Sequence, residues 1–383
     1  MAENGARRIR LGMVGGGTGA FIGYVHRVAS RIDGDYELVA GALSSRPEVA
    51  KESGRNIGLA EDRIYTSYEE MARAEAARPD GIEAVSIVTP NHMHYGPAKA
   101  FLEAGIHVIC DKPITSTLAD ARQLAAIKPK NAARFLLTHN YTGYPLIRQA
   151  RELVAAGALG RIRVVQAEYA QDWLTEAADA DNKQASWRTD PARSGAGGAI
   201  GDIGTHAYNL ARFVTGLQTE AVSADLTSFV PGRQLDDNVH IMLRFEGGAK
   251  GMLWASQVAV GKENGLQLRV YGDKGGLEWS QENPNYMWFT KFGEPRQLLT
   301  RGGAISGNAA STMNVRIPAG HPEGYLEAFA TLYSQFAAVI RGDGAAYEGL
   351  LPSMADGVEG MQFITASVQS SNNDGKWTRL SDV

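Results

Sequence analysis

Two polar segments of the chain carry side chains that could bind a hydroxyl group and move its proton. In residues 89–113, Asn91 and His94 follow one strand-like run, and Asp111 and Lys112 follow the next. Open α/β sheets bind ligands at the carboxyl ends of their parallel strands. A lysine placed there beside a cofactor could position a substrate hydroxyl and stabilise the alkoxide that develops from it. An ordinary surface lysine at a strand end is the alternative.

The second segment, "GGAIGDIGTHAYNLARF" at residues 197–213, contains an aspartate and a histidine. Asp202 and His206 are four residues apart, so on a helix they share one face. A neutral imidazole can accept an alcohol proton near physiological pH, and a neighbouring carboxylate would orient it. A helix-capping aspartate followed by a histidine of the core fits the same spacing.

A glycine-rich stretch, "MVGGGTGAFIGYVHR" at residues 13–27, lies between a strand-like run and a helix-like segment. This context predicts a dinucleotide-binding loop, in which backbone N–H groups and a helix N-terminus face a pyrophosphate. Gly15 and Gly17 supply the first two glycines of the fingerprint. The third position belongs to Ala20 or, if the loop is longer, to Gly23. A simple turn is the alternative interpretation.

The end of the second predicted strand lacks the acidic residue that usually holds the ribose hydroxyls. It reads Ser44, Ser45 and Arg46. The serines could bond a ribose, whereas Arg46 could pair with a 2′-phosphate and favour NADP, or could be an ordinary solvated residue. The sequence favours NAD and leaves NADP open.

Other residue types give weaker indications. His92 and His94 could suggest a metal, but no further ligand cluster of recognisable spacing lies near them, so we predict none. The G-x-S-x-G motif of serine hydrolases does not occur. Trp173, Trp187 and Arg188 lie in an irregular segment that could line a sugar site, although the aromatic residues fit a core equally well.

The order of the predicted elements indicates an α/β protein with two domains. Strand-like and helix-like segments alternate through the first third, as a parallel sheet requires. Beyond that, alternating strands, turn signals and a predicted helix near 205–214 are typical of an antiparallel sheet with one apolar face. We predict a Rossmann dinucleotide-binding domain at 1–138. An α+β domain for substrate binding and oligomerisation, with a large, open, mostly antiparallel sheet, should follow at 139–383, and "KWTRL" could be its last edge strand.

Composition narrows the class of partner. The net charge of −4 over 383 residues gives no electrostatic case for nucleic acid or an anionic membrane. No apolar run of about 18 residues and no signal peptide is evident. The single cysteine, Cys110, cannot form an intramolecular disulfide, which suits a reducing cytoplasm. A small molecule is therefore the expected partner.

Taken together, these segments resemble the glucose–fructose oxidoreductase/inositol dehydrogenase (Gfo/Idh/MocA) family of nicotinamide-dependent sugar and polyol dehydrogenases. The resemblance rests on the glycine loop, "TPNHMH", "DKP" where the family usually has Glu-Lys-Pro, and "GDIGTHAYNL". "GGGTGAFIG", "THNYTGYP", "WRTDPARSGAGG" and "GHPEGYLEAF" are most similar to bacterial inositol dehydrogenases, including types that oxidise scyllo-inositol or L-glucose. The glycine loop is longer than is usual in the family, and Asp111 replaces a glutamate.

This resemblance implies oxidation of one secondary hydroxyl of a cyclic polyol or pyranose by hydride transfer to NAD or NADP. Lys112 would contact the reacting hydroxyl and the nicotinamide ribose, His206 would accept the proton, and Asp202 would be its partner. The same three residues, with Tyr141, Asp172 and Arg188, would bind the substrate. The residues expected around the cofactor are Gly15, Gly17, Thr18, Ala20, Phe21, Ile22, Ser44, Ser45, Arg46, Thr89, Asn91, His94, Asp111, Lys112, Asn140, Trp187 and Arg188.

The resemblance also implies that the open sheet pairs with another copy of the chain, giving a homodimer or homotetramer. Two other functions remain as alternatives on the same fold. One is an NAD-dependent glycoside hydrolase, which would release free sugar without net use of cofactor. The other is a non-catalytic sensor that binds nucleotide and sugar.

Overall fold

The computed structural model describes residues 7–177, 183–303, 312, 315–347 and 349–383. The chain divides into two compact units. The first contains Met1–Thr115, Ala119–Asn140 and Tyr325–Val358, and the second contains Ser116–Leu118, Tyr141–Gly324 and Glu359–Val383. The sequence did not indicate that residues near the C-terminus belong to the first unit. The division into domains at residue 138 stays a prediction.

The helices are α1 (Phe21–Ile32), α2 (Pro47–Asn56), α3 (Tyr68–Ala77), α4 (Tyr95–Ala104), α5 (Leu118–Ala125), α6 (Pro145–Ala155), α7 (Lys183–Arg188), α8 (Pro191–Ser194), α9 (Thr205–Thr215), α10 (Tyr325–Arg341) and α11 (Met354–Asn372). The strands are β1 (Ile9–Gly15), β2 (Tyr36–Ala42), β3 (Ala84–Val88), β4 (His107–Cys110), β5 (Phe135–Leu137), β6 (Ile162–Ala170), β7 (Thr219–Thr227), β8 (Asn238–Phe245), β9 (Lys250–Ser256), β10 (Gly265–Gly272), β11 (Gly275–Ser280), β12 (Tyr286–Lys291), β13 (Gln297–Thr300) and β14 (Thr378–Arg379).

The first unit is built on a parallel sheet with the strand order β2-β1-β3-β4-β5. The chain runs from β1 outward to β2 and then continues on the other side of β1 with β3. The order therefore reverses between β1 and β3, which is the place where doubly wound sheets bind dinucleotides. This arrangement confirms the predicted α/β class and the Rossmann-type sheet.

Helix α10 completes the core of the first unit. Its residues Phe329, Leu332 and Phe336 are buried in one cluster with Leu11 of β1 and Val25 of α1. A small polar group is enclosed in the same core. Nδ1 of His26 lies 2.8 Å from the Tyr333 hydroxyl, and that hydroxyl donates to Oγ of Ser86 at 2.9 Å.

The second unit contains a nine-stranded sheet with the order β13-β12-β11-β10-β6-β9-β8-β7-β14. Its pairs are antiparallel except β6 with β9. The large, mostly antiparallel sheet was predicted, as was an edge strand within "KWTRL", which is β14. Along β8 buried and exposed residues alternate, so one face is covered and α9 packs over β6 and β10.

Within the described residues, no helix is both long enough and apolar enough to span a membrane.

Candidate functional site

The glycine loop of the first unit has a backbone that only glycine adopts easily. Gly15, Gly16 and Gly19 have φ angles of 78°, 72° and 81°. A Cβ on Gly23, in the first turns of α1, would lie 2.4 Å from Cα of Gly16. Gly23 therefore allows the close packing of helix on loop, which supports the longer-loop alternative in which Gly23 takes the third position.

A serine of α2 anchors the same loop. Ser53 is buried, accepts a hydrogen bond of 3.0 Å from the Thr18 N–H and donates one of 3.2 Å to the Thr18 hydroxyl. The Gly17 N–H donates to the carbonyl of Leu43 at 3.2 Å. A Cβ on Gly17 would lie only 2.7 Å from that carbonyl oxygen. Ser53 had no recognisable signal in the sequence, since its partner is 35 residues away.

The start of α1 is suited to an anion. Ala20 precedes the helix with extended backbone, and no side chain in the described part of the chain caps it there. Phe21 is 62% exposed and Ile22 is half-buried. An uncapped helix start next to a glycine loop presents backbone N–H groups and the positive end of the helix dipole. These features fit the pyrophosphate of a dinucleotide.

The residues after β2 lie at the surface. Oγ of Ser44 accepts a hydrogen bond of 3.1 Å from the Arg46 N–H, which fixes the turn into α2. Ser45 and Arg46 are exposed. Their contacts with a ribose stay predictions.

His94 connects the segments that follow β3 and β4. Its Nδ1 lies 2.7 Å from the carbonyl oxygen of Pro113, and its Nε2 lies 2.8 Å from that of Thr89. Burial lowers the pKa of His94. Because both ring nitrogens face backbone carbonyls, His94 positions the chain beside Lys112. The nearby Asn91 is buried as well.

Asp111 joins β4 to the end of β5. Its Oδ1 accepts hydrogen bonds from the Lys112 N–H at 3.0 Å and from the Thr138 hydroxyl at 2.9 Å. His139 and Asn140 follow and are buried. Burial lowers the pKa of His139 to about 4, so this ring is neutral at physiological pH. The ends of β3, β4 and β5 thus carry the polar group that the sequence predicted, with Thr138 and His139 added by the structure.

In the second unit, Asp202 and His206 lie on consecutive turns. Asp202 is in a π-helical turn, Ile200–Gly204, that leads directly into α9, and His206 is in the first turn of α9. The Asp202 carboxylate does not cap the helix. Its Oδ2 accepts hydrogen bonds from Nε of Arg188 at 3.1 Å and from Nε2 of Gln257 at 2.9 Å. The structure therefore argues against the capping alternative. π-Helical turns are frequent at functional sites.

Arg188 is held by aromatic rings as well as by Asp202. Its guanidinium carbon lies 4.3 Å from the ring centroid of Trp187 and 5.8 Å from that of Trp173. Stacking of this kind restricts a long side chain to few rotamers. The sequence-based roles of Trp187 and Arg188 in binding cofactor or substrate stay predictions.

The Tyr141 ring packs against the His206 ring. The rings of Tyr141 and His206 meet edge to face, with 4.8 Å between their centroids. The Tyr141 and Tyr169 hydroxyls are 2.5 Å apart, and Tyr169 donates to Oδ1 of Asn264 at 2.7 Å. Burial raises the pKa of Tyr141 to about 12. Tyr169 and Asn264 were not found in the sequence because only the fold brings them here.

Asp172 supports a loop of the second unit. Its Oδ2 accepts a hydrogen bond of 2.9 Å from the Gly261 N–H. The predicted contact of Asp172 with substrate hydroxyls stays a prediction.

Within the described ranges, no group of three or more His, Cys, Asp or Glu side chains is placed to hold a metal ion.

Family models match most of the chain. An oxidoreductase family model with an NAD-binding Rossmann fold matches residues 9–139, and a GFO/IDH/MocA C-terminal domain model matches residues 147–278. The chain belongs to the GFO/IDH/MocA oxidoreductase family. The first unit of this family member holds its NAD-binding Rossmann domain, which confirms the resemblance and the expected cofactor, NAD.

Several solved structures and a levoglucosan dehydrogenase are similar to this GFO/IDH/MocA protein. An oxidoreductase from Sinorhizobium meliloti is 57% identical, with a TM-score of 0.89 over 97% of this chain and 99% of that chain. An inositol dehydrogenase homologue from Azotobacter vinelandii, complexed with NAD⁺, is 40% identical, with a TM-score of 0.93 over 98% of both chains. An inositol dehydrogenase homologue from the same organism, complexed with NADH and myo-inositol, is 39% identical, with a TM-score of 0.90 over 98% of both chains. Levoglucosan dehydrogenase of Pseudarthrobacter phenanthrenivorans is 32% identical, covering 72% of this chain and 74% of that protein.

Proposed function

We propose that this protein is an NAD-dependent dehydrogenase that oxidises one secondary hydroxyl of a cyclic polyol or pyranose, such as scyllo-inositol or L-glucose. The observation that carries the proposal is a carboxylate fixed by two donors one helical turn before a buried imidazole. Asp202 is held by Arg188 and Gln257, and His206 follows it on α9. The names of the similar proteins, an inositol dehydrogenase homologue and levoglucosan dehydrogenase, support a ring-shaped polyhydroxy substrate.

Each catalytic residue has a distinct role in this proposal. His206 accepts the proton of the hydroxyl that is oxidised, and Asp202 stabilises the imidazolium that forms. Lys112 stabilises the negative charge that develops on the same oxygen, since an ammonium group favours the alkoxide over the neutral alcohol. NAD, when bound, supplies the hydride acceptor.

The cofactor would be held mainly by backbone. The glycine loop and the uncapped start of α1 receive the pyrophosphate. The residues that we assign to this role and to the ribose and nicotinamide are Gly15, Gly17, Thr18, Ala20, Phe21, Ile22, Ser44, Ser45, Arg46, Thr89, Asn91, His94, Asp111, Lys112 and Asn140.

The remaining substrate hydroxyls would bind to residues of the second unit. The Tyr141 ring packs against His206, and Arg188 stacks on Trp187 and is paired with Asp202. Asp172 accepts a hydrogen bond from the Gly261 N–H. Polar side chains that are locked in one rotamer recognise a rigid ring with fixed hydroxyl directions better than a flexible chain, because little entropy is lost on binding.

A substrate screen tests the proposal. Purified protein is incubated with a panel of inositols, aldoses and levoglucosan, with NAD and NADP in parallel, and formation of the reduced nicotinamide is followed by absorbance. We expect turnover of at least one ring compound, with a preference for NAD. Lys112→Ala and His206→Ala should each lower kcat at least 10²-fold while NADH binding, measured by fluorescence titration, survives.

Three outcomes would count against the dehydrogenase. Unchanged turnover in both variants would remove the residue assignment. Release of free sugar from a glycoside without net reduction of NAD would indicate the hydrolase alternative. Binding of sugar and nucleotide with no turnover of any compound would indicate a sensor.

We also propose that the protein forms a homodimer or homotetramer through the uncovered face of the nine-stranded sheet. On this face Met242 is 52% exposed and Met252 is 47% exposed, and Trp288 lies further along the sheet. A second copy would remove these apolar side chains from water. Light scattering should show a multiple of the chain mass, reduced to the monomer in Met242→Lys/Met252→Lys. A monomeric wild-type protein would refute this.

The single, buried Cys110 fits the cytoplasmic location that we propose.

A further inference from the structure

Asp236 binds the segment that leads to Asp202 through three consecutive peptide groups. It lies in the loop before β8 and is buried. Its Oδ1 accepts a hydrogen bond of 2.7 Å from the Gly198 N–H, and its Oδ2 accepts one of 2.8 Å from the Ile200 N–H. Its main-chain oxygen accepts one of 2.8 Å from the N–H of Ala199. One residue thus satisfies the backbone donors that the start of a helix leaves without an intrahelical partner.

The close approach of the two segments fixes their register. A Cβ on Gly198 would lie 2.1 Å from the main-chain oxygen of Asp236 and 3.0 Å from Cβ of Leu235. Gly198 is therefore required for this contact. A residue with a side chain at position 198 would push the segment away from Asp236.

Two routes lead from this loop to the Asp202 carboxylate. In the first, the carbonyl of Gly198 accepts the Asp202 N–H at 2.9 Å, so the peptide group that Asp236 holds also positions Asp202. In the second, the carbonyl of Asp237 accepts the Gln257 N–H at 2.8 Å, and the Gln257 side chain donates to Asp202 Oδ2. The backbone and the side chain of Asp202 are consequently both set by adjacent residues of one loop.

We propose that Asp236 is a positioning residue of the dehydrogenase, which fixes the π-helical turn and thereby the orientation of Asp202 and His206. The inference rests on the function proposed above. It assigns to Asp236 no contact with substrate or cofactor.

The charge of Asp236 fits this role. Burial raises its pKa to about 6, and the neighbouring Asp237 acts in the same direction, while the N–H groups of Ile200 and Gly198 oppose the rise. At neutral pH the carboxylate is ionised, and charge-assisted hydrogen bonds to backbone N–H groups are stronger than neutral ones. Asp237 is paired with Arg233 at 3.2 Å, so its own charge is compensated.

Asp236→Asn tests the positioning role, because it keeps the size of the side chain but replaces one acceptor oxygen with an NH₂ group. Asp273→Asn is the matched control. Oδ1 of Asp273 also accepts a backbone hydrogen bond in the second unit, from the Arg161 N–H at 2.9 Å, but this exposed bond joins the β10–β11 connection to the residue before β6. For each variant we would measure kcat, KM for the best substrate, NADH affinity and amide hydrogen exchange of residues 196–206.

We expect kcat of Asp236→Asn to fall about tenfold or more, since a small displacement of a catalytic group costs one to two orders of magnitude. KM should change less than roughly threefold and NADH affinity less than roughly twofold, because the proposal gives Asp236 no contact with either ligand. The amides of residues 198–200 should exchange faster in this variant only. Asp273→Asn should resemble wild type in all four measurements.

Several results would overturn the inference. Undiminished kcat in Asp236→Asn, or an equal loss in Asp273→Asn, would remove the positioning role while leaving the dehydrogenase intact. If Asp236→Asn does not fold, exchange in the wild-type protein decides, since unprotected amides at Gly198 and Ile200 would show that the hydrogen bonds are not formed. A wild-type protein without dehydrogenase activity would refute the proposed function itself.

Discussion

Gln257 donates a hydrogen bond of 2.9 Å from Nε2 to Oδ2 of Asp202. Gln257 is 2% exposed, and its own N–H is fixed by the carbonyl of Asp237, so the amide has little freedom to turn. Arg188 donates to the same oxygen from Nε. An oxygen that accepts from two restrained donors cannot rotate away, so the direction of the Asp202 carboxylate is set before any ligand binds.

The Gln257 hydrogen bond can be removed with or without adding a charge. Gln257→Met removes the donor, and we expect kcat to fall roughly tenfold, as is typical for a residue that orients a catalytic side chain. Gln257→Glu also places a second carboxylate against Asp202, and like charges at short range repel in a partly buried site. We expect a larger loss, roughly 10²-fold. Steady-state kinetics and NADH titration measure both variants, and wild-type kcat in each would show that Gln257 has no role.

The contact between Gly23 and Gly16 gives a prediction for cofactor binding. A methyl group on Gly23 would lie 2.4 Å from Gly16 Cα, so Gly23→Ala must push the glycine loop away from α1. We expect at least a tenfold loss of NADH affinity, measured by fluorescence titration, together with a destabilisation of about 1–3 kcal/mol.

Gly360→Ala is the control for that substitution. Gly360 lies inside α11, and apart from its chain neighbours and the backbone of its own helix no described atom is within 4 Å of the position of its Cβ. Alanine there should stabilise the protein slightly and leave NADH binding unchanged. Equal affinities in the two variants would show that the loop tolerates a side chain at Gly23.

Local signals explain why the first unit could be predicted in detail. The sequence gives α4 the bounds that the structure shows, since Gly105 follows it with a left-handed φ of 85°. α3 begins after Ser67, whose hydroxyl accepts the Glu70 N–H. In contrast, β12 was not predicted. Its exposed Tyr286 and Trp288 are aromatic and alternate with the buried, apolar Met287 and Phe289, so no polar–apolar alternation is visible in the sequence.

The candidate site was predictable only where the chemistry is carried by local motifs. Lys112 follows a strand, and Asp202 and His206 share a short segment, so their types and spacing could be recognised. Ser53 and Gln257 act through partners 35 and 55 residues away, and an isolated serine or glutamine has no distinctive pattern. The sequence likewise could not show whether Asp202 caps the helix, because that depends on donors that the fold brings to its carboxylate.

The buried His26 predicts loss of stability in acid. Burial lowers its pKa to about 4, below the ordinary value of 6.5. The unfolded chain binds a proton as the pH falls through about 6.5 while the native ring stays neutral, so the stability present above that pH is lost progressively down to about pH 4. Between pH 7 and pH 5 this loss is on the order of 2 kcal/mol.

Urea unfolding of the wild type and of His26→Phe at both pH values measures this contribution. The variant loses the hydrogen bond to Tyr333 and should be less stable at pH 7. Its stability should nevertheless fall less between pH 7 and pH 5 than that of the wild type, because a histidine whose pKa is lowered in the native state has been removed. Identical pH dependence in the two proteins would mean that His26 is protonated equally in the native and unfolded states.

Tyr169 is expected to act on the substrate through Tyr141. Its hydroxyl lies 2.5 Å from that of Tyr141 and donates to Asn264, so it fixes the ring that packs against His206. Tyr169→Phe removes this support without changing ring packing. We expect KM for the sugar or polyol to rise roughly tenfold, with a smaller fall in kcat and unchanged NADH affinity, because a wall of the site loosens while the proton acceptor stays in place. Tyr286→Phe, on an exposed position of β12, is the control and should leave KM unaltered. If KM rises in both variants, or in neither, the Tyr169 hydroxyl does not specifically determine the position of the Tyr141 ring, and this interpretation is contradicted.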